Sequence, residues 1–300
     1  MNKTSKRILI LVTLTILLFL YISNSTLIIN EFIKYTNIFL TKLFPATFIF
    51  FTISSLLIDY GIIEIFIKYF RINTSSFYII LMSMISGFPS GSKYIKDLYQ
   101  KNLITKNSAT KLLMYTHFPN PLFILGTVNL IIHDNNLTIK ILLSIILSNF
   151  ILLILNPPKN NITFQNNYTP PKNFAISLSN SIFSTFKTIT IIYGNSIFFF
   201  LIATIISKYL YLNVNQYILL NGFFDLTKGI ISTTLIPNNI IQSIYITTFI
   251  SFGGISIHMQ VKSILEDTSL NYKNFLIGRI LGTIISIILF LLLNIITYFH

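Results

Sequence analysis

Asp225 makes the clearest chemical demand in this chain. It sits in Asn221-Gly222-Phe223-Phe224-Asp225-Leu226-Thr227-Lys228-Gly229, between apolar neighbours. A carboxylate at the centre of a membrane helix costs about 2.5–3.5 kcal/mol on insertion scales, so it must face a cavity or a partner. There it can coordinate a cation, carry a proton or accept hydrogen bonds from a polar solute. Lys228 lies three residues on, within helical pairing reach, so the pair can equally neutralise itself at a membrane surface.

A second polar break, Ser86-Gly87-Phe88-Pro89-Ser90-Gly91-Ser92-Lys93, offers backbone amides and hydroxyls at a helix opening. That geometry suits an anionic or hydroxylated group, and Lys93 would add charge. A plain turn between helices needs the same Gly and Pro. The GxxxxGK[ST] spacing of an ATP-binding loop is missing. Each break is followed, at a similar interval, by another: Phe118-Pro119-Asn120-Pro121 after the first, and Ser251-Phe252-Gly253-Gly254-Ile255-Ser256 after the Asp225 break, with His258 and Gln260 beyond it. His258 suits a hydrogen-bonding wall residue better than a metal ligand, since no carboxylate or second histidine lies near it in sequence. The candidate solute-binding residues are therefore Ser90, Ser92, Lys93, Asn120, Asp225, Thr227, His258 and Gln260. Gly87, Pro89, Gly91, Pro121, Gly229, Gly253 and Gly254 are the structural breaks. With no cysteine and four scattered histidines (His117, His133, His258, His300), no disulfide, metal centre or cofactor is expected. No Ser-His-Asp arrangement, paired carboxylate site or HExxH motif supports an enzyme.

The elements that must position these residues are membrane helices. The chain is 53% hydrophobic and only 10% charged, with a mean hydropathy of +0.74, far from a soluble domain. Runs such as Ile8 to Ile22, Leu142 to Leu155 and Ile284 to Ile296 approach, with their flanks, the length needed to cross roughly 30 Å of hydrocarbon. About seven to nine such elements fit the length. The runs lack the alternation of a barrel wall, so an all-α polytopic membrane protein is expected. The net charge of +13 is spread between spans, which fits loops facing anionic lipid rather than a nucleic-acid partner.

Lys3, Lys6 and Arg7 before the first span place the N-terminus in the cytoplasm, and the poor cleavage site at Tyr21-Ile22-Ser23-Asn24 argues for an uncleaved span. Ile28, Phe32 and Tyr35 would form one face of an interfacial helix, and Thr105 a helix cap. The ten residues Phe77 to Ser86 are too short to cross and read as a half-helix or re-entrant arm. Asp59, Glu64, Lys68 and Arg71 read as a connecting segment. Lys187 and Arg279 read as anchors near span ends, reaching the headgroups. Residues 156–173, with Pro157-Pro158 and Pro170-Pro171, form a linker between an N-terminal membrane half (1–155) and a C-terminal half (174–300). Interrupted segments at corresponding places in two halves point to a transporter-like site. The first half enters its leading span from outside and the second from inside, making the halves inverted copies with broken or re-entrant helices.

Four ordered motifs carry a family resemblance over nearly the whole chain. Gly87-Phe88-Pro89-Ser90-Gly91-Ser92-Lys93 resembles G-x-P-x-G-A-K, and Pro121-Leu122-Phe123-Ile124-Leu125-Gly126-Thr127-Val128 resembles P-L-F-I-I-G-T-V. Asp225-Leu226-Thr227-Lys228-Gly229 is similar to E-x-T-x-G, and Ser251 to Val261 to S-F-G-G-x-S-x-H-x-Q-V. Together they resemble the YlbJ-type sporulation integral membrane proteins, a branch of the nucleoside-recognition Gate domain group. Ser92 stands for a small Ala, Asp225 for Glu, and Phe118-Pro119-Asn120 for a small polar run. The resemblance implies two Gate-type repeats and a multi-pass protein of the bacterial cytoplasmic membrane needed for the spore envelope. Its likeness to concentrative nucleoside carriers and ferrous-iron transporters implies passage of a small solute. The expected function is thus a transporter-like sporulation membrane protein, binding or moving a small polar solute at a midplane site, with or without a coupling ion. Beyond the lipid bilayer, the expected partners are a second copy or other sporulation membrane proteins, and no nucleic acid. The alternative is a non-transporting scaffold for spore cortex or coat assembly.

Overall fold

The computed structural model describes residues 3–62, 65, 75–121, 123–158 and 173–298. Among them every regular element is helical. Ile, Phe and Thr favour strands in water, yet a lipid-facing backbone must satisfy its own amides, which a helix does alone. The threonine and serine hydroxyls take part, donating back to the carbonyl one turn earlier, as in Thr13 to Leu9 at 2.8 Å and Thr247 to Ser243 at 2.8 Å. Helix starts are set by Asn, Asp and Thr caps. Thr105 accepts from Ser108, Asp134 from Leu137 and Asn173 from Ala175, while Asn213 and Gln216 form a reciprocal capping box.

The chain opens with α1 (Lys3–Ser23) and α2 (Ser25–Ile38), followed by a wide π turn and α3 (Phe44–Asp59). A first series of broken helices follows: α4 (Ser75–Ser86) and α5 (Ser90–Gln100), then α6 (Lys106–Tyr115), a π turn (Phe123–Val128) and α7 (Asn129–Ile132), closed by the long α8 (Asn135–Leu155). After α9 (Phe174–Tyr209) comes a second series in the same order. It comprises α10 (Val214–Phe224) and α11 (Leu226–Ser232), then α12 (Asn239–Phe252) and α13 (Gly254–Ile264), closed by the long α14 (Lys273–Tyr298). Among the described residues, five helical stretches are long and apolar enough to cross a membrane: Thr4–Ser23, Asn135–Leu155, Phe174–Tyr209, Asn239–Ile264 and Lys273–Ile296. The chain is a multi-pass membrane protein. Further apolar arms, Ser76–Ser86 and Phe123–Ile132 among them, are shorter. The expected seven to nine crossings thus resolve into five long helices and several broken arms.

Two apolar cores result. The larger joins α4 through α8 to α10 through α14, and the smaller packs Tyr35, Phe39 and Phe51 against Ile189, Ile192, Ile197 and Phe200 of α9. The two series interleave, because α14 lies along α8, α6 and α12. At one end of the bundle, Lys101 pairs with Asp59 at 2.8 Å, Lys96 with Asp267 at 3.1 Å, and Lys111 donates to the Pro157 carbonyl at 2.9 Å. At the other, Asn24 donates to the Tyr209 hydroxyl at 2.9 Å, and Lys140 to Asn294 at 3.0 Å. Glu64, Lys68, Arg71, residues 159–172 of the linker and His300 lie outside the described residues.

Two expectations change. Tyr35 is 1% exposed and turned into the smaller core, so Ile28, Phe32 and Tyr35 do not make one lipid face. Arg279 is no headgroup anchor: it is 1% exposed, inside the bundle. It lies only six residues into α14, but that helix is wedged against both broken helices, and Gly278 lets it sit on the Met114 backbone.

Candidate functional site

All four breaks meet. Gly87 has a φ of +79°, and a Cβ there would stand 2.5 Å from the Asn120 nitrogen, so the first break packs directly on the second. Gly254 has a φ of +66°, and a Cβ there would stand 2.9 Å from the Gly222 carbonyl, seating the fourth break on the third. His117 joins the pairs: its Nε2 contacts the Ile250 carbonyl at 3.2 Å, and its ring stacks on Phe88 at 4.5 Å.

Arg279 completes this junction. Its guanidinium donates to the carbonyls of Ser251 at 3.0 Å and Met114 at 2.8 Å, and to Asn149 Oδ1 at 3.1 Å. Asn149 donates in turn to the His117 carbonyl at 3.0 Å. A helix that stops in the membrane leaves carbonyls without partners. One buried fork of donors serves two such ends, α6 and α12.

Around the junction lies a cavity of about 290 Å³ whose wall draws on every break. Ser86, Phe88 and Pro89 come from the first, Asn120 and Phe123 from the second, Asp225 and Thr227 from the third, and Ser256 and Gln260 follow the fourth. Tyr35 and Phe39 from the α2 side, with Ile192 and Ser196 of α9, close it, so it lies at the seam of the two cores. Among the described residues, Asp225 is the one charged residue on this wall. It is 1% exposed and caps α11, accepting from the Lys228 amide at 3.0 Å.

The sequence pairing of Asp225 with Lys228 is realised through that amide, not through the ammonium. Lys228 turns away, donating to the Thr204 hydroxyl and, at 3.3 Å, to the Phe200 carbonyl, with its ammonium 4.6 Å over the Phe200 ring. No salt bridge to Asp225 occurs among the described residues. A desolvated carboxylate ringed by hydroxyls and amides is suited to accept hydrogen bonds from a small polar molecule or to hold a cation.

Of the candidate residues, the structure brings Asn120, Asp225, Thr227 and Gln260 to one wall, with Pro89 beside them. Asn120 donates to the Ser86 carbonyl at 3.3 Å, and Gln260 donates to Ser196 at 2.7 Å. Ser90, Ser92, Lys93 and His258 lie off the wall. Ser90 bonds back to the Gly87 carbonyl and shares a 2.6 Å bond with Ser86, and it is Ser86 that reaches the cavity. Lys93 is 3% exposed, with its ammonium 5.4 Å from the centre of the Phe51 ring. His258 is held by the Tyr272 hydroxyl and the Phe252 carbonyl, on a different side of α13 from Gln260. No group of metal-ligating side chains occurs among the described residues. Sequence reading missed Ser86, Tyr35, Ser196 and Ser256. Ser86 and Ser256 carried a signal, as hydroxyls beside the glycines of the first and fourth breaks.

Comparison with curated proteins finds a sporulation integral membrane protein, YlbJ of Bacillus subtilis (strain 168), 26% identical over 299 residues, covering 83% of this chain and 73% of the relative. No protein-family profile and no solved structure match the chain.

Proposed function

We propose that this chain is a transporter-like sporulation membrane protein of the Gate type, in which two inverted repeats hold a small polar solute at a midplane site. The observation that carries the reading is the single cavity walled by all four breaks, with one buried carboxylate on it. Irregular backbone survives at membrane depth only where it lines such a cavity, and paired broken helices at a shared site are the signature of inverted-repeat carriers. The two series of elements in matching order support repetition. Inversion is supported by where the hairpins are tied. The outer end of α5 is bonded beside Asp59 and Asp267, whereas α10 begins just after Tyr209, which is bonded to Asn24 at the opposite end. The sporulation role rests on the named relative, and a cytoplasmic N-terminus on Lys3, Lys6 and Arg7.

In this reading Asp225 is the principal acceptor for the solute, with Thr227, Asn120, Ser86, Ser256 and Gln260 fixing its orientation. The seam between the α2–α3–α9 core and the broken helices is the surface along which rocking would open the cavity to one side and then the other.

The natural absence of cysteine supplies a clean test. Single Thr227→Cys and Ser256→Cys variants in sealed vesicles are exposed to a membrane-impermeant thiol reagent from each side in turn. Labelling from both sides is expected, as each site visits both faces. Labelling from one fixed side, or none, together with normal sporulation of an Asp225→Asn strain, would favour a scaffold instead.

A further inference from the structure

A second cavity, of about 480 Å³, lies where α2, the end of α9 and the α10–α11 hairpin meet. Its wall carries Lys34, Lys208 and Lys228 with the hydroxyls of Thr204 and Ser207, and Glu31 is the one carboxylate. Glu31 is matched with Lys34 at 3.7 Å. Lys208 donates to Asn24, and Lys228 to Thr204 and the Phe200 carbonyl, all neutral acceptors. Three ammoniums therefore face one carboxylate, and two have no carboxylate within ion-pair distance among the described residues. Uncompensated ammoniums at the edge of a membrane protein call for an anion, and lysine recognises phosphate as a point charge alongside hydroxyl donors.

The depth of the cavity is fixed by its neighbours. Asn24 closes the end of α1, Tyr209 ends α9 beside it, and Tyr209 and Tyr211 are exposed there, as tyrosines are at the headgroup level. Ile29, Phe32 and Ile33 of the adjoining α2 are also exposed, giving acyl chains a surface next to the lysines.

We propose that this second cavity binds a phosphate-bearing anion, either a lipid headgroup or free phosphate, through Lys34, Lys208 and Lys228. The site stands apart from the solute cavity and does not depend on what that cavity carries. Because Lys228 belongs to the same short helix that Asp225 caps, an occupant here would hold α11 in place.

The test uses the full chain in nanodiscs of phosphatidylcholine alone, in phosphatidylcholine with phosphatidylglycerol, and in phosphatidylcholine with added inorganic phosphate. A raised thermal midpoint with phosphatidylglycerol and one retained phosphatidylglycerol in native mass spectra is expected for a headgroup. A rise with phosphate alone assigns free phosphate. Lys208→Gln, on an exposed side chain that should fold, is expected to weaken either response about tenfold to a hundredfold, the loss of one charge-assisted bond. Lys228→Met should do the same, and Lys187→Gln, elsewhere on α9, should leave it unchanged. No response to either anion overturns the proposal, as does an equal loss with Lys187→Gln.

Discussion

At the scale of single residues, Asp225 does two separable things. Its carboxylate caps α11, and it puts a charge on the cavity wall. Asn caps as well as Asp, whereas losing a cap costs about 1 kcal/mol. Asp225→Asn is therefore expected to leave thermal stability nearly unchanged while abolishing the solute binding proposed for this cavity. Asp225→Leu is expected to lose binding and roughly 1 kcal/mol of stability as well. Unfolding curves set beside a binding or uptake assay check this, and a large stability loss in Asp225→Asn would mean the charge itself holds the fold. Asp225 was legible because a lone carboxylate among phenylalanines has few places to go. Arg279 was misread for the converse reason: nearness to a helix end is a distance along the chain, and the end of α14 is buried against α6.

At the scale of elements, the working unit is a short helix that stops inside the membrane and packs its tip on another. Gly254 shows what the stop requires. Its φ is left-handed, costing about 1–2 kcal/mol for any residue with a Cβ, and that Cβ would press on the Gly222 carbonyl. Gly254→Ala is expected to destabilise the fold by at least that much, read from unfolding curves, and to loosen the contact between the third and fourth breaks. Gly126, where a Cβ meets nothing within 4 Å, is the control, and Gly126→Ala should be near neutral. Equal effects would mean that neither the left-handed φ nor the close approach sets Gly254 apart. The four breaks were visible in the sequence through Gly and Pro within apolar runs. Which break packs on which was not, because that depends on contacts between segments far apart in the chain.

At the scale of the whole molecule, Arg279 ties the series together, joining the ends of α6 and α12 with α8. Arg279→Met fills similar space but leaves those acceptors bare, at about 1–3 kcal/mol each in water-soluble proteins and less in lipid. A sharp fall in folded yield is expected, with Asn149→Ala milder. An unchanged yield would show that water or relaxation serves the carbonyls. The surface tether differs. Lys96 holds the Asp267 carboxyl below its ordinary value through a hydrogen bond and charge, so any stabilisation is present above that ordinary value and lost as pH falls through the lowered one. The pair is exposed, so salt screens it, and Asp267→Asn is expected to shift the unfolding midpoint only slightly at neutral pH and not at all in strong acid.

Composition and spacing alone determined that this is a helical membrane chain with four polar interruptions and an acid that needs a cavity or a partner, because hydrocarbon tolerates neither bare amides nor bare charge. Which polar groups share a wall was decided only in three dimensions. Ser86 rather than Ser90 faces the cavity, Gln260 does while His258 does not, and Lys93 and Lys228 turn elsewhere. A helix places successive side chains on different faces, and the face that becomes a cavity is chosen by the helices packed around it.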